Sequence, residues 1–292
     1  MERFDIAIIG TGPAGVSAAI TARIRNKKIL LVGHGALSDK VQKAHAIQNY
    51  PGLPAVSGKG LQEAFLGHLS SLDISITEGK VTLIYPMGDY FALQISGQNY
   101  EADTVILATG VVTAKPLPNE EEFLGRGVSY CATCDAPLYK GKNVGIIGYS
   151  PKEESEADFM AEYADRVTYF PVYKDDVHVD SRVSVVREKP VSIKAAGFKA
   201  GGLVTDQGEY DFDGVFVLRD SVSPKQLVPG LTLDGPHIQV DRSMATNIPG
   251  CFACGDITGK PYQYVKSAGE GNVAALSAVS FLDARRREGS GV

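Results

Sequence analysis

Two cysteines separated by two residues and followed by an aspartate are the residues of this chain best suited to chemistry. They form the pentapeptide Cys131-Ala132-Thr133-Cys134-Asp135. Thiols at this spacing can close a small disulfide and reopen it, and such a loop often lowers the pKa of one thiol towards neutrality. The adjacent carboxylate can supply or accept the proton that this exchange requires. The motif therefore indicates disulfide redox chemistry.

A second cysteine pair, Cys251 and Cys254, has the same spacing and leaves an alternative open. Two such pairs together can hold a zinc ion. Each pair, however, stands beside a sequence typical of a nucleotide-binding fold, and this favours redox chemistry at Cys131 and Cys134 over zinc. We interpret Cys251 and Cys254 as small buried hydrophobic residues rather than as a second redox pair.

The composition excludes several classes of protein. The chain has 292 residues, a net charge of -5 and a hydrophobic fraction of 44%. This length suggests about two domains, and the negative charge argues against nonspecific binding of nucleic acid. Four cysteines are too few for a secreted disulfide scaffold. The first five residues lack the features of a signal peptide, and no run of about 18 apolar residues occurs, so we expect a cytoplasmic protein that does not cross a membrane.

A glycine-rich turn near the N-terminus predicts a nucleotide-binding unit. Apart from Asp5, residues 4–9 are apolar and half of them are isoleucine, as expected for a buried strand, and an alanine-rich helix is expected over residues 13–25. The turn between them reads Gly10-Thr-Gly-Pro-Ala-Gly15, and a second strand is expected over residues 29–32. This arrangement directs backbone N–H groups and a helix N-terminus at a phosphate. The second strand ends in Gly33-His34-Gly35 instead of the usual acidic residue, so adenosine binding must differ in that detail.

A second β-α-β unit is predicted by strands over residues 144–147 and 167–170 and a helix over residues 152–163. A working unit needs glycines where the backbone approaches a pyrophosphate. Here only the first glycine is present, Tyr149 follows it, and Glu153 and Glu154 bring negative charge to the helix N-terminus. These carboxylates would repel a phosphate. We favour the loss of a pyridine-nucleotide site over the alternative of a divergent but working one.

The remaining patterns predict how the two units are joined. Short strands over residues 74–76, 81–84 and 91–95 are typical of a meander, and buried strands are expected over 104–108, 215–218 and 251–254. A long helix is expected over residues 264–285. Proline-containing stretches at residues 115–118 and 220–224 read as linkers. We therefore predict an α/β fold with two Rossmann-like three-layer domains, the first of which, residues 1–113 and 221–292, is split by the inserted second domain, residues 114–220.

The motifs occur in the order seen in low-molecular-weight bacterial thioredoxin reductases, and the resemblance covers essentially the whole chain. Within that family the chain looks most like the clostridial-type, ferredoxin-linked flavoenzymes, which work without a pyridine nucleotide. The family motifs are GTGPAG at 10–15, NYPG at 49–52, ATG at 108–110, CATCD at 131–135, Gly255-Asp256 and Gln263; the stretches CDAPLYKGK, GVFVLRDS, KPYQY and AGEGNVAAL strengthen the match to the ferredoxin-linked branch.

The resemblance implies that FAD binds to the split domain and that the inserted domain has a degenerate NADPH-type fold. The FAD pyrophosphate would lie against Gly10, Gly12, Pro13, Ala14 and Gly15. Asn49 and Gln263 would contact the isoalloxazine, as would Tyr262, which stands in place of the usual arginine. Gly255 and Asp256 would contact the ribitol, Lys40 would contact the phosphate or the ribitol, and Val81 would contact the adenine. Thr109 and Gly110 would lie beneath the cofactor.

Several of these residues also have an ordinary structural interpretation that the sequence leaves open. Lys40 can equally be a solvated loop lysine, and Asn49 can simply start the turn that continues through Tyr50-Pro51-Gly52. Val81 can be a core valine, and Gly255-Asp256 can be a common turn.

The resemblance also implies an activity. Reduced ferredoxin would deliver electrons singly to FAD, Cys134 would face the flavin, Cys131 would attack the disulfide of thioredoxin, and Asp135 would handle the proton. The domains would swing about linkers near Lys115 and Ser221. A homodimer is expected by resemblance. The alternative is a flavin-dependent oxidase that passes electrons from a small dithiol to oxygen.

Docking of ferredoxin sets a further expectation. Ferredoxins are usually acidic and this chain is acidic overall, so a productive encounter needs a local basic patch. Lys40, Lys43, Lys260 and Lys266 are the preferred candidates because they flank segments expected to touch the flavin. The alternative is that they are solvated loop charges.

Overall fold

The computed structural model of the chain describes residues 2–42, 44–111, 116–219 and 223–289. It divides into two units, Met1–Val112 with Ser223–Val292, and Thr113–Val222. The expected hinge residues Lys115 and Ser221, and the lysine at position 43, lie outside the described residues.

The helices and strands are numbered along the chain. The strands are β1 Arg3–Ile9, β2 Ile29–Gly33, β3 Ile76–Glu78, β4 Val81–Pro86, β5 Phe91–Ile95, β6 Gln98–Leu107, β7 Val128–Ser129, β8 Asn143–Gly148, β9 Arg166–Pro171, β10 Val183–Val185, β11 Pro190–Ala196, β12 Lys199–Thr205, β13 Glu209–Asp211, β14 Gly214–Leu218, β15 Leu233–Asp234, β16 His237–Ile238 and β17 Cys251–Ala253. The helices are α1 Pro13–Ile24, α2 Asp39–Gln42, α3 Gly58–Ser71, α4 Ala132–Asp135, α5 Glu154–Met160, α6 Pro224–Leu227 and α7 Tyr264–Gly289. Single 3-10 turns cover Ala136–Tyr139, Pro151–Glu153 and Gly255–Thr258.

The first unit contains a sheet in the order β3-β2-β1-β6-β5-β4, and β17 also pairs with β6. Strands β1, β2, β3, β6 and β17 are parallel, whereas β4, β5 and the first half of β6 form an antiparallel meander. The expectation that the strand near residue 76 belongs to this meander is wrong. That strand pairs in parallel with β2, with Ile76 opposite Leu31, because this position extends the buried parallel sheet.

Small residues bring the two helices of the first unit that flank its nucleotide-type turn close together. Helix α1 packs against α7 through alanines of both helices, among them Ala18 and Ala278, within one hydrophobic core. A Cβ atom at Gly271 of α7 would lie 2.0 Å from the carbonyl oxygen of Ala14. Only glycine allows this approach, which fixes the start of α1 against the start of α7.

The second unit contains a parallel sheet in the order β10-β9-β8-β14-β7 and a separate antiparallel sheet of β11, β12 and β13. The predicted α/β class with two Rossmann-like parallel sheets is confirmed. The helix expected over residues 152–163 is shorter in the structure. It opens with the 3-10 turn Pro151–Glu153 and continues as α5 only to Met160. None of the helices in the described part of the chain is both long and apolar enough to cross a membrane.

Candidate functional site

The glycines of the first turn serve two different purposes. Gly10 has a φ of 115°, and a Cβ atom there would lie 2.3 Å from the carbonyl oxygen of Ala108. A Cβ atom at Gly15 would lie 1.8 Å from the carbonyl oxygen of Gly10. Gly10 therefore lets the turn pack against the end of β6, and Gly15 lets the start of α1 close onto the turn. At Gly12, by contrast, a Cβ atom would have no neighbour within 4 Å, so the protein leaves this side of the turn open.

The open side of the turn fits a phosphate. Gly12 is the N-cap of α1, Pro13 follows it, and no side chain caps the helix. The first turn of α1 also carries no acidic residue. A helix N-terminus of this kind presents backbone N–H groups and the positive end of the helix dipole to an anion. The residues therefore fit the pyrophosphate of a dinucleotide, and Ala14, which is buried, lines the base of the turn.

The end of β2, which lacks the usual acidic residue, is held by a hydroxyl that the sequence did not single out. Thr11 Oγ1 accepts a hydrogen bond from the N–H of His34 and donates one to its carbonyl oxygen, at 3.2 and 3.1 Å. A Cβ atom at Gly35 would lie 2.0 Å from a carboxylate oxygen of Glu78 on β3. An acidic group therefore does reach this end of the sheet, but from the neighbouring strand.

Two residues predicted to contact the flavin ring, 214 positions apart, meet in the structure. The side-chain amide of Asn49 donates a hydrogen bond from Nδ2 to Oε1 of Gln263 at 2.7 Å. Gln263 directly precedes α7, and its carbonyl oxygen accepts the N–H of Ser267 in the first turn of that helix. Asn49 is therefore more than the first residue of a local turn, because its side chain joins the loop before α3 to the start of α7.

A polar network holds the Gly255-Asp256 segment. Gly255 has a φ of 85°, and its N–H donates to Glu270 Oε2 at 2.9 Å. Lys266 Nζ donates to the carbonyl oxygens of Gly255 and Gly259, each at 2.9 Å, and forms an ion pair with Glu270. Asp256 Oδ1 accepts a hydrogen bond from Ser267 Oγ at 3.0 Å. Glu270 belongs to none of the motifs in the sequence, although its spacing from Lys266 is typical of a helical ion pair.

This network corrects one part of the expected ferredoxin-docking patch. The side chain of Lys266 is only 19% exposed and is bonded to backbone oxygens, so it is a structural cation rather than a free surface charge. Lys260 is exposed. Lys40 lies in α2, where its side chain is outside the description, and Lys43 is not described at all.

The remaining residues predicted to bind the cofactor lie at separate points of the first unit. Tyr262 is 41% exposed, and its hydroxyl is 2.7 Å from Nε2 of His237 on β16, a contact that no sequence signal indicated. Val81 is buried at the start of β4. Thr109 and Gly110 follow β6, and Gly110 has a φ of 70° with open space where a Cβ atom would point.

The Cys-x-x-Cys motif lies in the second unit at the start of α4. Cys131 is disulfide-bonded and 9% exposed. Its N–H donates to Ser129 Oγ at 3.2 Å, and its carbonyl oxygen accepts the N–H of Asp135 at 3.3 Å. Burial, and then the Asp135 carboxylate, raise the pKa of Tyr139. Cys134 lies within α4, where its side chain is outside the description.

The nucleotide-type turn of the second unit is filled by the protein itself. A Cβ atom at Gly148 would lie 1.9 Å from the hydroxyl oxygen of Tyr169, so this glycine accommodates a tyrosine of the next strand. The ring of Tyr149 packs under the guanidinium of Arg219, with 4.6 Å from Cζ to the ring centre. Arg219 in turn forms a buried ion pair with Glu120. Tyr149 is therefore fixed by the protein at the position after Gly148.

A carboxylate occupies the start of the helix that follows this turn. Glu154, the first residue of α5, is buried and accepts hydrogen bonds from the Tyr173 hydroxyl at 2.5 Å and from the N–H of His178 at 3.0 Å. The hydroxyls of Tyr169 and Tyr173 are 3.2 Å apart. Burial raises the pKa of Tyr169 to about 12, and burial together with the bond to Glu154 raises the pKa of Tyr173. The two phenols therefore stay protonated and satisfy the carboxylate.

The second cysteine pair is buried in the first unit. Cys251 and Cys254 are free thiols, 1% and 0% exposed, in and just after β17. Burial raises the pKa of Cys251 to about 12 and also raises the pKa of Cys254. Among the described residues, no group of three or more His, Cys, Asp or Glu side chains is placed to hold a metal ion. Burial supports their interpretation as small core residues.

Comparison with known proteins places this geometry in a family. A model of the family described as pyridine nucleotide-disulphide oxidoreductase matches residues 4–271. The chain belongs to this family. It is similar to a ferredoxin-flavin thioredoxin reductase from Clostridium acetobutylicum, with 55% identity over 98% of this chain and 99% of that one and a TM-score of 0.92. A second structure with that description, from the same organism, is 52% identical over 97% of this chain and 99% of that one, with a TM-score of 0.89.

A curated relative extends the comparison beyond this branch. A thioredoxin reductase from Aquifex aeolicus is 30% identical over 307 residues, which cover 97% of this chain and 95% of the relative. The resemblance inferred from the motifs is thus confirmed. The protein is a flavin-dependent disulfide oxidoreductase of the thioredoxin reductase type.

Proposed function

We propose that this oxidoreductase reduces thioredoxin with electrons from reduced ferredoxin, carried by FAD and by a disulfide between Cys131 and Cys134, and that it does not use NADPH or NADH. The observation that carries the proposal is the filled turn of the second unit. Tyr149, held under the Arg219 guanidinium, follows Gly148 directly in this turn, and Glu154 brings a buried negative charge to the helix start that a nucleotide phosphate would approach. The solved structures of similar proteins support the choice of ferredoxin and thioredoxin as partners.

The residues of the first unit fit FAD as its cofactor. The open side of Gly12 and the uncapped start of α1 would hold the pyrophosphate, Asn49 and Gln263 would position the ring, and Asp256 would accept a ribitol hydroxyl. When bound, FAD supplies a carrier that accepts electrons one at a time and releases them as a pair to a disulfide. The first unit would thus serve as the FAD domain and the second as the redox-disulfide domain.

The cysteines would perform the second half of the reaction. The bond between Cys131 and Cys134 breaks when it takes up two electrons and a proton, and this leaves a thiol and a thiolate. The Cys131 thiolate then attacks the disulfide of thioredoxin and forms a mixed disulfide. The Cys134 thiolate displaces the reduced thioredoxin and restores the enzyme disulfide, while Asp135 transfers the proton that each change of charge requires.

Anaerobic mixing of the oxidised protein with each donor tests the proposal. Reduced ferredoxin should bleach the flavin absorption band, whereas NADPH and NADH at micromolar concentration should not. Cys131→Ser and Cys134→Ser should keep this bleaching but lose the reduction of thioredoxin. Rapid bleaching by NADPH would overturn the proposal, and sustained formation of hydrogen peroxide from a small dithiol would favour an oxidase.

A further inference from the structure

A carboxylate from the helix after the filled turn reaches the redox motif. Helix α4 begins at Ala132, the residue after Cys131, and its buried N–H donates to Glu156 Oε2 at 2.9 Å. Glu156 is a half-buried residue in the first turn of α5. The two residues are 24 positions apart, so only the packing of α5 against α4 brings this negative charge to the disulfide.

The position of Glu156 opposes the usual effect of a Cys-x-x-Cys loop. Backbone N–H groups in the first turn after a cysteine stabilise its thiolate, and so lower the pKa of such thiols. Here the first of these groups is bonded to a carboxylate instead. A negative charge next to a thiolate also raises the free energy of the thiolate by direct repulsion. Both effects disfavour the ionised form of Cys131.

We propose that Glu156 is a positioning residue that lowers the reduction potential of the Cys131 disulfide and so makes the dithiol a stronger reductant. The inference rests on the proposed function, in which Cys131 and Cys134 carry two electrons. Reduction breaks the S–S bond, takes up two electrons and a proton, and leaves one thiol and one thiolate. Because Glu156 destabilises only the thiolate product, it shifts the equilibrium towards the disulfide. A more reducing dithiol is the better donor to an acceptor disulfide.

The variant Glu156→Gln isolates the charge, because its amide oxygen can still accept the N–H of Ala132. The oxidised and reduced forms of the holoenzyme are brought to equilibrium anaerobically in mixtures of reduced and oxidised dithiothreitol. They are then quenched with acid and alkylated, and the peptide that carries residues 131–134 is measured by mass spectrometry. We expect the equilibrium constant to shift towards the dithiol by about tenfold, which is about 30 mV for a two-electron couple.

Glu162→Gln is the matched control, because Glu162 is an exposed carboxylate just beyond the end of α5. It should leave the equilibrium unchanged. Glu156→Ala should shift the equilibrium in the same direction as Glu156→Gln and also lower the unfolding temperature, since it leaves the Ala132 N–H without an acceptor.

Three results would overturn the inference. An unchanged equilibrium in Glu156→Gln would show that the carboxylate only caps α4. The same conclusion would follow if Glu156→Gln destabilised the protein as much as Glu156→Ala. If Cys131 of the unmodified enzyme failed to cycle between disulfide and dithiol with dithiothreitol, the proposed function itself would fail, and the inference with it.

Discussion

The chain contains two β-α-β units of the same topology that treat the start of their helix in opposite ways. In the first, β1-α1-β2, a glycine caps the helix, the first turn has no acidic residue and the space beside Gly12 is open. In the second, β8-α5-β9, the helix starts at Glu154, Glu156 follows in the same turn, and Ser150 stands where the first unit has Gly12.

Under the proposed function, this contrast explains how a nucleotide-binding fold can persist after its nucleotide site is lost. A helix start leaves N–H groups that need acceptors and a positive dipole end that favours a negative charge. The first unit leaves its helix start open to an anion. The second places its own carboxylates there, which complement the helix dipole, and uses them as internal links, Glu154 to the loop that contains Tyr173 and His178, and Glu156 to the redox helix.

The largest expected effect is on FAD binding, when an acidic residue is placed at the start of α1, as the second unit has at the start of α5. Gly12→Asp should abolish tight FAD binding while keeping the fold, because the backbone at Gly12 has a φ of −77° and aspartate is a favourable N-cap. Two like charges about 4 Å apart repel by about 4 kcal/mol at an effective dielectric constant of about 20, so we expect the Kd for FAD to rise at least a hundredfold, as about 1.4 kcal/mol is tenfold.

The control for this variant is Gly12→Ser, which adds a comparable cap without charge. Titration of the apoprotein with FAD, followed by the quenching of flavin fluorescence, gives both values of Kd. Equal values for the aspartate and serine variants would mean that the pyrophosphate does not lie at this turn.

The sequence alone predicts those features of the molecule that depend on residues close to one another along the chain. The fold around the first turn could be predicted because its strand, glycines and helix follow one another along the chain, and Gly15 packs on Gly10 within the turn itself. The expectation that the second unit has lost its nucleotide site rests on Tyr149, Glu153 and Glu154, and the structure adds Tyr169, which comes from the next strand and packs against Gly148.

Residues that act across the fold could not be found from the sequence. Glu156 reaches Ala132, Thr11 holds His34, and Glu270 binds the N–H of Gly255, in each case through packing rather than through a motif. The pairing of β3 could not be predicted for the same reason, since its three residues contain no information on which neighbour they pair with.

The second prediction concerns the carboxylate that closes the loop of the second unit. Glu154→Ala should lower the free energy of unfolding by about 1–3 kcal/mol, because the N–H of His178 and the hydroxyl of Tyr173 lose a buried acceptor. Amide hydrogen exchange at His178 should accelerate in the same variant.

Binding of NADPH should nevertheless stay absent in Glu154→Ala, because Tyr149, held under Arg219, still occupies the turn after Gly148. Glu162→Ala, an exposed substitution in the same unit, should change neither stability nor exchange. Micromolar affinity of Glu154→Ala for NADPH would show that the carboxylate alone had blocked the site, and that the tyrosine is no obstacle.

The third prediction sharpens the assignment of the open site in the first unit. If Asn49 and Gln263 position FAD as a bonded pair, alanine substitutions at the two positions should be non-additive in FAD affinity by about 0.5–1.5 kcal/mol. Asn272→Ala is the control, because it removes another side-chain bond of α7, to Thr21 of α1, and should affect stability alone. Strict additivity of the effects of Asn49→Ala and Gln263→Ala on FAD affinity would show that the two residues do not position FAD as a pair.

The smallest effect is expected at the second cysteine pair, where redox chemistry should be absent. In the oxidised protein at pH 8, iodoacetamide should label Cys251 and Cys254 only after denaturation, and Cys251→Ala should not change the reduction of thioredoxin.

The raised pKa of Cys251 also predicts a dependence of stability on pH. Below the ordinary thiol value of 9.0 the folded and unfolded states both keep the proton, so the thiol adds no dependence.

Between pH 9 and about 12 the thiol ionises in the unfolded chain but not in the buried site. Ionisation therefore stabilises the unfolded state relative to the folded state, and the free energy of unfolding falls. Urea denaturation at pH 8 and pH 10 should therefore show a smaller alkaline loss in Cys251→Ala than in the unmodified protein. An equal loss, together with labelling of the native protein at pH 8, would mean that the thiols are accessible and ionised. The two Cys-x-x-Cys sequences would then differ less in chemistry than their burial indicates.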